Sequence, residues 1–122
     1  MTKIEVHKIE LKPILNDYLR TTDEKPLIQY FIKNSNLPGR RGNIEMAAAF
    51  DEIIRDDFKE NIDQIWTLSV KMTQVSSIDA PTNNPKEMIP FCGTRALGSI
   101  GSISEDYFGK ALAHLKVLAN DS

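Results

Sequence analysis

The chain carries a single cysteine, Cys92, with two histidines and one tryptophan among its 122 residues. One thiol closes no intrachain disulfide and cannot build a cysteine-based metal site. Neither sign of charge dominates: 15 Lys and Arg stand against 17 Asp and Glu, for a net charge of −2. Nucleic-acid binders show a basic excess or basic runs, because neutralising phosphates supplies most of their non-specific affinity. This chain has neither, which argues against nucleic acid as a partner. No apolar stretch approaches the about 20 residues that cross a bilayer. The opening Met1-Thr2-Lys3-Ile4-Glu5-Val6 has no apolar signal core. No membrane association is expected, and cytoplasmic residence follows as the default. No run alternates with period two long enough to make a strand.

What is present is helical periodicity. The composition, 41% hydrophobic and 26% charged, suits a globular chain, and the length suits one domain, residues 1–122. Six segments place apolar residues on one helical face. The first carries Leu11, Ile14, Leu15, Tyr18 and Leu19, with Pro13 expected in its first turn. The second begins at Thr21–Glu24, a spacing that fits a capping box, and carries Leu27, Ile28, Phe31 and Ile32. A Gly- and Asn-rich loop, residues 36–43, follows, and Asn43 is a good N-cap for a third segment with Met46, Ala47, Phe50, Ile53, Ile54 and Phe58. Asn61 is placed to cap the fourth, built on Ile62, Ile65, Trp66, Ser69 and Met72. After a second loop, residues 76–83, Asn84-Pro85-Lys86-Glu87 combines three start signals for a fifth segment in which Pro90 can introduce a kink. Residues 102–105 offer a cap for the sixth, whose stripe reads Phe108, Ala111, Leu112, Leu115, Leu118 and Ala119.

The expected fold is all-α, with three antiparallel helix pairs at about 9–35, 43–76 and 84–120 stacked as a short solenoid. The pairs start about 34 and 41 residues apart, in the range of helical-pair repeats. Low self-similarity between the pairs leaves the helix spacing as the support for this.

Two stretches carry a family resemblance. Arg95-Ala96-Leu97-Gly98-Ser99-Ile100-Gly101, followed by the amphipathic run from Ala111 to Asp121, resembles a HEAT repeat. The stretch from Asn36 to Phe50 is similar to a segment of uncharacterised microbial HEAT-repeat proteins. The motif covers about residues 85–121, and residues 9–35 carry no repeat signature. The resemblance implies a right-handed α-solenoid with a protein-binding or scaffolding role, no cofactor and no catalytic residue. A HEAT array would begin another repeat after Asn120-Asp121-Ser122. The last pair is therefore expected to be covered by further repeats, the chain being the front of a longer array, or by a second copy in a homodimer.

Candidate sites are few. Arg40, Arg41 and Asn43 precede a helix start, where backbone N–H groups and the helix dipole favour an anion. An ordinary solvated turn accounts for the same residues. Asp51, Glu52, Asp56, Asp57, Glu60 and Asp63 form an acidic stretch without the order of a calcium loop. A wet helix face accounts for them. HEAT-like DNA alkylation-repair glycosylases use aromatic and acidic residues on a solenoid surface, but Trp66 shares a face with Ile62 and Ile65 and reads as core. His7 and His114 have no partnered nucleophile, and Cys92 reads as a small buried hydrophobe. No catalytic or metal-binding residue is assigned. The function expected is a non-enzymatic interaction module. The competing expectation is a nucleic-acid- or phosphate-binding, repair-related protein centred on Arg40 and Arg41.

Overall fold

A computed structural model describes residues 1–75 and 78–120. Ser76 and Ser77, where the second expected loop begins, and Asp121 and Ser122, at the end of the HEAT-like stretch, lie outside the described residues. The described chain is all-helical: α1 is Lys3–Thr21, α2 Lys25–Lys33, α3 Ile44–Asp57, α4 Ile62–Thr73, α5 Met88–Ile103 and α6 Glu105–Asn120. Short 3-10 turns, Lys59–Asn61 and Pro85–Glu87, lead into α4 and α5.

The first helix starts earlier than its apolar face suggests. Thr2 accepts from the Glu5 N–H while the Glu5 carboxylate accepts from the Thr2 N–H, a complete capping box. Pro13 consequently sits mid-helix and not in the first turn. It leaves the Ile9 carbonyl without its usual donor. Ile9 and Pro13 are both exposed, so water can solvate that carbonyl.

The expected capping box at Thr21–Glu24 does not form. Thr21 Oγ1 donates back to the Asp17 carbonyl, Asp23 Oδ1 accepts from Lys25 N–H, and Glu24 reaches Lys71 of α4 at 2.8 Å. Asn61 stands at the head of α4 but makes no capping bond, its amide donating to Gln64 instead. Asn43 and Asn84 do cap, accepting from Met46 N–H and Lys86 N–H. Pro90 falls in the first turn of α5, a position where a missing N–H disturbs a helix least.

Packing centres on α5, which lies against α2, α3, α4 and α6. The odd-numbered helices form a series, α1 on α3 and α3 on α5, and the principal neighbour of α4 is α5. The contact between α2 and α5 joins the first and third expected pairs, which a strictly linear stack keeps apart. The core follows this plan. Phe31 of α2 meets Phe50 of α3 edge-to-face at 5.1 Å, and Leu11, Leu15, Leu27, Ile53, Ile65, Leu68 and Ile100 are fully or almost fully buried. Glycine permits the closest crossings. A Cβ on Gly93 would stand 2.8 Å from Met72 Cβ and 3.0 Å from the Ser69 carbonyl, and one on Gly101 would stand 2.8 Å from Ala111 Cβ.

The last helix is rotated from its expected setting. Tyr107, Ala111, His114, Leu115 and Leu118 are its buried or half-buried residues, an i, i+4, i+7, i+8, i+11 stripe. Phe108 and Leu112, both expected on the covered face, are 61% and 46% exposed. Trp66 settles the rotation: Tyr107 lies 4.9 Å from its ring and His114 6.5 Å. Hydrogen bonds from Tyr107 to Asp63 and between His114 and Thr73 reinforce it.

Candidate functional site

The residues singled out in the sequence separate into distinct surroundings. Asn43 is nearly buried, and all its polar groups are engaged. Its N–H donates to the Ser35 carbonyl at 2.9 Å, and its own carbonyl accepts from Ala47 N–H. Its Oδ1 accepts from Met46 N–H at 3.0 Å, while Nδ2 faces the Asn34 carbonyl at 2.8 Å and His7 Nε2 at 3.2 Å. Arg41 is ion-paired at 3.2 Å with Glu45, which lies in the first turn of α3, and Arg40 is exposed. The positive end of α3 therefore already faces a side-chain oxygen and a carboxylate, which take the place an anion would fill there.

Beside Arg41 is a pocket of about 240 Å³, with Leu37, Ile44, Met88 and Phe91 forming apolar walls and Arg41 and Glu87 supplying charge. The two long loops meet nearby, where Gly39 N–H donates to Asn83 Oδ1 at 2.9 Å and Asn83 N–H donates to Glu87 Oε2 at 2.7 Å. Gly39 is required in that loop, since a Cβ there would stand 2.6 Å from the Asn36 carbonyl oxygen.

The acidic stretch does not converge. Glu52 pairs with Lys8 and Asp57 with Lys12, so these two carboxylates tie α3 to α1. Asp63 serves Tyr107. Asp51 is only 6% exposed and meets Arg95 of α5 at 2.8 Å through Oδ2, while Oδ1 is buried without a hydrogen-bond partner. Burial pushes the Asp51 carboxyl above its usual range, opposed by the Arg95 guanidinium. Cys92 is buried close enough to feel that charge, and burial first, then Asp51, pushes its thiol far up. It is a poor nucleophile in this setting.

Trp66 is half-buried against α6, as a structural aromatic. His7 sits on α1, with Nδ1 2.6 Å from the Tyr30 hydroxyl, and Tyr30 in turn donates to Glu10 at 3.5 Å. Burial, then Glu10, pushes the Tyr30 hydroxyl far up, so it stays protonated. Periodicity could not reveal this cluster, because its members come from three segments and Tyr30 stands off the second segment's expected stripe. Among the described residues, no three His, Cys, Asp or Glu side chains are grouped to hold a metal ion, and no helix is long and apolar enough to cross a membrane.

The outward side of α6 carries exposed apolar side chains, with Phe108 and Leu112 one turn apart. Comparison with protein-family models, curated proteins and solved structures found no match to this chain.

Proposed function

We propose that this chain is a non-enzymatic protein-interaction module, built on a short HEAT-like helical stack and resident in the cytoplasm, whose partner docks on the outward face of α6. The observation that carries the proposal is the exposure of Phe108 and Leu112 on a helix whose opposite face is already docked through Tyr107 and His114. Large apolar side chains adjacent on one exposed face are the usual centre of a binding surface. The side-by-side series α1, α3, α5 supports the HEAT-like stack, since the first helices of successive pairs lie this way. The α2–α5 contact would then be a local closure of that stack.

The test is binding. A partner recovered from cells is purified and titrated against the chain, and sedimentation equilibrium reports self-association. Phe108→Glu combined with Leu112→Glu should weaken the interaction at least about a hundredfold, as loss of a hot spot does. Ile9→Glu, at an exposed apolar residue on α1, should leave it intact. Equal binding by all three proteins would defeat the proposal. Anion binding at Arg40, Arg41 and Asn43 is the alternative. It requires millimolar phosphate to raise the Tm of the native protein by mass action, with the increment lost in Arg40→Ala/Arg41→Ala.

A further inference from the structure

Asn43 fixes the protonation of a histidine by elimination. Its Oδ1 accepts the Met46 N–H, so the other end of the amide is the NH2 group, and both hydrogens have acceptors: the Asn34 carbonyl and His7 Nε2. His7 Nε2 must therefore be a bare lone pair. The ring proton is on Nδ1, donated to the Tyr30 oxygen, and Tyr30 passes its own proton toward Glu10. The chain Asn43, His7, Tyr30, Glu10 has one consistent direction, and it requires a neutral imidazole.

We infer that His7 is a proton-operated latch on the loop of residues 34–43. A proton on Nε2 would point an N–H at the Asn43 NH2, setting donor against donor. Asn43 cannot turn its amide to offer an acceptor without withdrawing Oδ1 from Met46 N–H and presenting oxygen to the Asn34 carbonyl. Acid thus breaks the α3 cap and the tie to Asn34 in one step. The loop held by that cap carries Leu37 and Arg41, which line the pocket against Met88 and Phe91. The titratable groups around the ring are Tyr30 on α2 and, through it, Glu10 on α1. The α3 side presents Asn43 and the positive end of the helix, with Glu45 of its first turn already paired to Arg41. Histidine is the side chain whose charge ordinarily changes between about pH 5 and 8, which sets the range to be scanned.

The experiment is amide hydrogen exchange and NMR titration of the full chain from about pH 8 to 5, with rates corrected for the intrinsic pH dependence of exchange. The Met46 amide and the loop amides of Leu37 and Gly39 should follow the titration of the His7 ring, and Met46 should exchange at least about tenfold faster when His7 is charged, one hydrogen bond having gone. His7→Gln keeps an acceptor for Asn43 and cannot titrate, so its Met46 amide should stay protected throughout. A Met46 amide indifferent to His7 titration, or loosening that persists in His7→Gln, would each overturn the inference.

Discussion

Asn43 and Asn84 look alike in the sequence, each an asparagine at a helix start, yet they are not equivalent. Asn43 is buried and bonds to Met46, Ser35, Asn34 and His7, whereas the Asn84 side chain caps a short 3-10 turn. Asn43→Ala removes a cap and strands part-buried partners, so it should cost about 2 kcal/mol or more, against about 0.5 for Asn84→Ala. Urea denaturation of the two variants ranks them, and equal costs would contradict the burial difference. Asp51 gives a second residue-level expectation. Its carboxyl is raised from the ordinary 3.8, so the folded state holds that proton more tightly than the unfolded chain. The stabilisation this brings is complete below the unfolded value and is lost as pH rises through the folded one. Asp51→Asn cannot lose it. The stability difference between variant and native protein should therefore move in the variant's favour as pH is raised above 3.8, with Arg95 free to reach water through its partly exposed side chain. A difference that moves the other way in pH-dependent denaturation would mean that Arg95 dominates the site.

Among the helices, glycine gives predictions of opposite sign. Gly93→Ala pushes a methyl into the Met72 side chain and α4 backbone and should destabilise by about 1–3 kcal/mol. Gly98 meets nothing within 4 Å on the same helix, and Gly98→Ala should stabilise by about 0.5–1 kcal/mol. Thermal melts of the pair test whether the α4–α5 crossing is as close as described. On α6, Leu112→Ala should cost under about 1 kcal/mol because the side chain is largely wet, while Tyr107→Ala, losing Trp66 and Asp63, should cost about 2. The reverse order would restore the face expected from the sequence. That contrast shows what was legible. Helix existence was plain in the period of Leu, Ile and Phe, and so were the caps at Asn43 and Asn84. The setting of α6 was not, because Phe108 and Leu112 make a stripe as apolar as the one that packs. The choice was made by Trp66, 41 residues upstream of Tyr107, through a contact that no local pattern encodes. The start of α1 was legible in Thr2 and Glu5 and was obscured by Pro13, a residue that ordinarily marks a first turn. The His7 and Asp51 clusters were illegible for the reason that hid α6: their partners lie 23, 36 and 44 residues away.

For the molecule as a whole, Cys92 offers a global probe. It lies in the core between α5 and its neighbours with its thiol pushed far up by burial. Labelling by a disulfide reagent should be at least about a thousandfold slower in native than in denaturant-unfolded protein, with the native rate limited by opening. Ready labelling of the native state would place Cys92 outside a cooperative core. The hub position of α5 also bears on how the chain acquires its structure during synthesis. In a linear array each unit can dock on the one before it, and order spreads from the first-made end. Here the helix that receives α2, α3, α4 and α6 is made after the first three of them. Until it emerges, α1 and α3 can associate, but α4 lacks the surface that buries Ile65, Leu68 and Met72. The nascent chain must hold those apolar faces unpaired from the synthesis of α4 until α5 has followed it. The interval in which it is most open to misassociation or to a chaperone therefore ends only when Met88–Ile103 arrives.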